Sequence, residues 1–147
     1  MKVTLRQCAS KHLISIIFAT CIIISPRLAN ADQTAQGTVQ LSITASAQHD
    51  SITSATCELK ILTEDPNTKV DFIEDVTVQA QVANNVVTCT IVAPYQWNLT
   101  ALTGPIYILY TVSAMNGAVV TKTTTGGFDT IPASTTGTIP LNLSTVF

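Results

Sequence analysis

The sequence predicts an all-β domain, a single antiparallel β-sandwich of about seven strands. Three observations carry this. Thr, Val and Ile make up 43 of the 116 residues from 32 to 147, and branched side chains suit a pleated, half-buried surface. Apolar and polar residues alternate with a period of two through several segments. Turn-forming pairs separate those segments, and none of them repeats apolar residues at helical spacing.

Residues 1–31 stand apart as an export leader. Lys2, Arg6 and Lys11 precede an apolar run from Leu13 to Ser25, and Ala29-Asn30-Ala31 places small residues at the two positions a signal peptidase reads. The run is shorter than the ~20 residues a spanning helix requires, and Pro26 follows it. Cys21 lacks the small-residue box of a lipidation site. Cleavage after Ala31 is the expectation, leaving a domain at 32–147 that is secreted, periplasmic or held at the cell surface.

The leader takes four of the seven basic residues with it. The rest carries three lysines against nine carboxylates, a net charge of −6. That argues against nucleic acid or an anionic membrane surface as partner. No second apolar run reaches spanning length. Cys57 and Cys89 remain, and in an oxidising compartment an even count reads as a disulfide. The spacing leaves open whether the bridge joins two sheets or two neighbouring strands. A two-cysteine metal site would need a further ligand, and His49 is not spaced to supply it.

The strands follow in order. Val39, Leu41, Ile43, Ala45 and Ala47 alternate with Gln40, Ser42, Thr44, Ser46 and Gln48, which marks a strand with one face in the core. Ala55, Cys57, Leu59 and Ile61 alternate with Thr56, Glu58 and Lys60. Val76, Val78, Ala80 and Val82 alternate with Thr77, Gln79 and Gln81. Asn84-Asn85 fits a two-residue hairpin turn, because Asn tolerates positive φ. Its register would set Ala83 opposite Val86, Val82 opposite Val87, Ala80 opposite Cys89 and Val78 opposite Ile91. Ile106 to Met115 is apolar on both parities, as a central strand would be, and Asn116-Gly117 is the strongest hairpin signal in the chain. Val119 to Thr125 returns from that turn. Thr138 to Phe147 closes with Ile139, Leu141 and Leu143 on one face. Pro140, on the other parity, lacks a ladder donor and predicts a free edge. The set reads as immunoglobulin-like. An outer-membrane barrel is the competing all-β reading, but seven aromatic residues after the leader are too few for two girdles.

Candidate sites are few. His49-Asp50-Ser51 holds triad residue types in a row, yet neighbours in an extended chain face opposite ways and cannot form a triad. No phosphate loop, metalloprotease helix or nucleophile elbow is present, so the expectation is a protein that is not an enzyme, with a small secreted hydrolase as an alternative. Glu64, Asp65, Asp71, Glu74 and Asp75 crowd around a turn at Pro66-Asn67. The favoured reading is a solvated hairpin loop; the alternative is an extracellular Ca²⁺ site in a ligand- or calcium-binding module, Ca²⁺ being the one candidate cofactor. Tyr95 and Trp97 form either a partner-binding surface or, the favoured reading, a buried pair near Cys89. Asn98-Leu99-Thr100 and Asn142-Leu143-Ser144 are glycosylation sequons.

The N-terminal third resembles chaperone–usher pilin subunits. The likeness lies in a leader and short polar extension, then Gly37-Thr38-Val39 opening an alternating strand, then Cys57 about twenty residues on, with Cys89 after it. The resemblance implies an incomplete immunoglobulin-like sandwich completed by a neighbour's first strand. Val39, Leu41 and Ile43 would then be the apolar residues inserted into the next subunit. The expected partner is another protein or a further copy of this chain.

Overall fold

The computed structural model describes residues 32–47 and 51–147. The leader at 1–31 and the His49-Asp50 pair lie outside the described residues. Among the described residues nine strands form, in chain order: β1 (Gln33–Ser46), β2 (Ser54–Glu64), β3 (Asp71–Gln79), β4 (Gln81–Ala83), β5 (Val86–Leu99), β6 (Pro105–Asn116), β7 (Val119–Gly127), β8 (Ile131–Pro132) and β9 (Thr138–Val146). Among the described residues no helix is long and apolar enough to cross a membrane.

Two sheets pack face to face. One has the order β4-β5-β1-β9; the other runs β3-β2-β6-β7, with β8 beside β6. The period-two pattern explains the packing. Val39, Leu41 and Ile43 from β1 and Val87, Ile91 and Ala93 from β5 face inward and are buried. They meet Leu59 and Ile61 of β2 and Ile106, Ile108 and Val112 of β6 in one core. Two strands more than expected appear because β4 and β8 are only three and two residues long.

Two expectations change and one open question closes. The Asn84-Asn85 turn forms, with φ of 52° and 59°, and sets Ala83 opposite Val86 and Val82 opposite Val87. The pairing then stops. The Ala80 N–H donates to the Ala55 carbonyl at 2.9 Å, and Val78 lies opposite Cys57 instead of Ile91. The chain switches sheets at Ala80, so β3 and β4 belong to different layers. Second, the sandwich is not wholly antiparallel, because β9 runs parallel to β1. Third, the disulfide question is settled. Cys57 on β2 and Cys89 on β5 join with Cα atoms 6.7 Å apart, so the bridge ties the two sheets together.

Both sheets end in guarded edges. The Thr38 N–H donates to the Gly137 carbonyl at 2.9 Å, so even-numbered residues of β1 turn their backbone groups toward β9 and odd-numbered ones toward β5. Pro140 therefore faces away from β1, on the free side of β9, as its parity predicts. Pro94 likewise faces the part of β5 that β4 leaves uncovered. On the other sheet the edge strands carry charge on their inner faces: Glu74 of β3 lies opposite buried Ile61, and Lys122 of β7 lies opposite buried Ala114. Missing donors and inward charges both oppose addition of a further strand.

The cystine closes a loop for which chain entropy gives about 3–4 kcal/mol. Replacing Cys57 and Cys89 together with Ala should lower the unfolding free energy by about that amount, measured by guanidinium titration of oxidised wild type and variant side by side.

Candidate functional site

The feature that sets this fold apart is the slot that holds β1. The strand lies between β5 and β9, which do not pair with each other. It is antiparallel to β5 over its whole length and parallel to β9 from Thr38 to Ser46. Apolar rows run across all three strands: Ala93–Val39–Ile139, Ile91–Leu41–Leu141 and Cys89–Ile43–Leu143. The sequence singled out Val39, Leu41 and Ile43, and the structure brings them together as the buried spine of this slot. Their flanking partners on β9 are only half-buried.

A glycine fixes the register of β1. Gly37 lies opposite Tyr95, and a Cβ there would sit 2.7 Å from the Tyr95 hydroxyl and 3.1 Å from the Gly137 carbonyl. A slip of two residues would keep the apolar face inward but put Ala35 or Val39 under the ring. Tyr95 is buried and packs on Trp97 with ring centroids 4.9 Å apart, which restricts its movement away from β1. Its hydroxyl is 3.5 Å from the Thr135 carbonyl, beyond good hydrogen-bond range. Burial pushes the phenol pKa up.

Tyr95 and Trp97 are both buried. Trp97 reaches Phe72 of β3 at 6.3 Å, so the pair packs between the sheets and offers no surface to a partner. Its neighbours are Phe72 and Tyr95 rather than Cys89.

The five clustered carboxylates divide between the two faces of β3 and the β2–β3 loop. Asp71 and Asp75 share the outer face of β3 while Glu74 faces inward. Glu64 holds the Lys69 ammonium at 2.9 Å, and Lys60 sits 3.3 Å from Asp75 and 3.6 Å from Glu58. Asp75, then Glu58, raises the Lys60 pKa, and Glu64 raises that of Lys69. Among the described residues no group of three or more His, Cys, Asp or Glu converges to hold a metal ion.

Asp65 is the exception in the cluster, 2% exposed and fully hydrogen-bonded. Its Oδ1 accepts the Asn67 N–H at 3.0 Å, the Thr68 N–H at 2.8 Å and the Thr100 hydroxyl at 2.7 Å; its Oδ2 accepts the Thr100 N–H at 2.6 Å. The side chain thus closes the β2–β3 loop and clips it to the end of β5. Burial alone would raise its pKa, but the hydrogen bonds from Thr68, Thr100 and Asn67 outweigh that and hold it well below the usual carboxylate range. Sequence reasoning found the residue and missed its role. The signal was there in Asp65-Pro66-Asn67, an Asx-turn sequence. Gly37's role was also missed, because a close approach to Tyr95 exists only once the strands are paired.

The chain matches no protein-family model, no curated protein and no solved structure.

Two outcomes follow from this geometry. Gly37→Ala should destabilise the domain by about 1–3 kcal/mol, the range of overpacking. Gly104→Ala, where a Cβ meets its nearest atom at 3.4 Å, should stay within about 0.5 kcal/mol of wild type; thermal melts of the two variants read the difference. Asp65 has a lowered folded-state pKa, so its contribution is complete above its ordinary value of 3.8 and fades as pH falls through the folded-state value. Asp65→Asn should melt lower at neutral pH and lose less than wild type on acidification below about 4, seen in melting temperature against pH.

Proposed function

We propose that this protein is an exported, non-enzymatic subunit that assembles with other proteins at or beyond the cell envelope by exchanging its first strand. In this reading the chain is pilin-like and the sandwich immunoglobulin-like, an architecture in which a disulfide between the sheets is also a hallmark. The observation that carries the reading is the place of β1. It is an inner strand of its sheet, the first among the described residues, and the chain runs on from it to β2 at Ser54. With the leader removed after Ala31, β1 would be tethered on that side alone. A strand so placed can leave its own slot and enter an identical one elsewhere with the same apolar rows restored.

The cystine supports this reading. With β1 out of its slot, β5 would keep only the three-residue β4 as a hydrogen-bonded neighbour. The Cys57–Cys89 bond would still hold β5 to the opposite sheet. The disulfide and the lack of a spanning helix among the described residues are compatible with export.

Thr44 and Thr88 lie directly opposite each other on β1 and β5, with their backbones turned away from one another, a geometry that accepts a cross-link. The variant Thr44→Cys with Thr88→Cys reports exchange directly. Incubated concentrated under mild oxidation, an exchanging population yields a ladder of covalent oligomers on a non-reducing gel. Monomers alone at every concentration and temperature below melting would overturn strand exchange.

A further inference from the structure

The two outer faces of the sandwich differ in kind. The strands β4, β5, β1 and β9 contain no charged residue. The outward positions of β2 and β3 carry Glu58, Lys60, Glu64, Asp71 and Asp75 around an apolar row. Ile73, Leu62 and Tyr107 stand directly opposite one another across β3, β2 and β6. Leu109 lies next along β6 and faces Gly127 of β7, which has no side chain to cover it. Ile73 is 57% exposed, Tyr107 44% and Leu109 42%. The row is ~10 Å wide across three strands. Beside it a concavity of about 350 Å³ is lined by Leu62, Glu64, Pro66, Lys69, Asp71 and Tyr107.

We infer that this face is a docking site for a segment of a different protein in which lysine or arginine flanks an apolar side chain. The charge around the row selects the occupant. Four carboxylates, Glu58, Glu64, Asp71 and Asp75, face two ammoniums, Lys60 and Lys69. Both ammoniums are already held by carboxylates of this chain, whereas Asp71 makes no ion pair among the described residues. A cation entering the concavity would lay its methylene stem on Leu62 and the Tyr107 ring and reach Asp71 with its head. A second copy of the chain does not fit this role. After the leader its basic residues are Lys60, Lys69 and Lys122; the first two lie on this same face, and Lys122 faces inward. An anionic lipid surface or nucleic acid would meet like charge. The inference does not depend on strand exchange, which uses the other sheet.

The test is an NMR titration of the oxidised domain at low ionic strength with the capped peptide Lys-Leu-Lys-Leu-Lys. Glu-Leu-Glu-Leu-Glu and Ser-Leu-Ser-Leu-Ser serve as matched probes, with vesicles of phosphatidylcholine and phosphatidylglycerol in a separate arm. Docking predicts saturable shifts confined to amides of residues 60–64, 69–75 and 104–109 for the basic peptide, weakened by salt. Asp71→Asn should reduce affinity about threefold, the scale of an exposed ion pair. Ile73→Ser should reduce it about tenfold, the scale of a partly buried aliphatic contact. Both positions face solvent, and unchanged melting temperatures confirm that the fold is intact. No saturable shift, equal response to the acidic peptide, shifts confined to the uncharged sheet, or binding to the vesicles instead would each overturn the inference.

Discussion

The structure depends on β1 being held on both flanks. A strand in the interior of a sheet satisfies its backbone groups with two neighbours and buries one face against the opposite layer. Here those neighbours come from distant parts of the chain, partners on β5 lying 40 to 66 residues on and those on β9 100. Leu41 shows the arrangement at one residue. It is fully buried, lies opposite Ile91 on one flank and Leu141 on the other, and faces the second sheet. Without it, one sheet becomes two separated pieces. The long closure that brings β9 to β1 also raises the mean sequence separation of contacts, a property that goes with slow folding.

The remaining fixtures serve that slot. The cystine sets the separation of the two layers beside Ile43. Phe72 and Trp97 bridge the layers farther along. Asp65 clips the β2–β3 loop to Thr100 just after β5 ends. Each is placed where β5, the wall of the slot, would otherwise be held by hydrogen bonds to β1 alone.

Much of this was legible in the sequence for a simple reason. A period of two is a local property, so Val39, Leu41 and Ile43 announce a core-facing strand without reference to any other residue. Turn chemistry is local as well: Asn84-Asn85 turns where its residue types require, whereas the next hairpin turns one residue later than expected, at Gly117-Ala118, with Asn116 still paired to Val119 and Gly117 alone at positive φ. Pro140 declared its edge because a missing donor must face away from a neighbour. What could not be read was pairing between distant segments. The hairpin register through Val78 was consistent in parity, yet the chain changes layers at Ala80, and parity is the same on either route. The parallel neighbour of β1 left no local mark. The carboxylates looked like one group because they are close in sequence, whereas alternation along β3 sends Glu74 to one side and Asp71 and Asp75 to the other.

The prolines and inward charges at the sheet margins have a consequence for how this molecule ages. A β-rich, charge-poor chain held at high concentration ordinarily risks templated fibrillation, in which each newcomer stacks onto a bare margin. Pro94, Pro140, Glu74 and Lys122 close that route, so a closed protomer is a poor seed for its own precipitation. Substituting either proline with Val would leave the interior untouched and return a backbone donor to that one margin, while the other three guards stay in place.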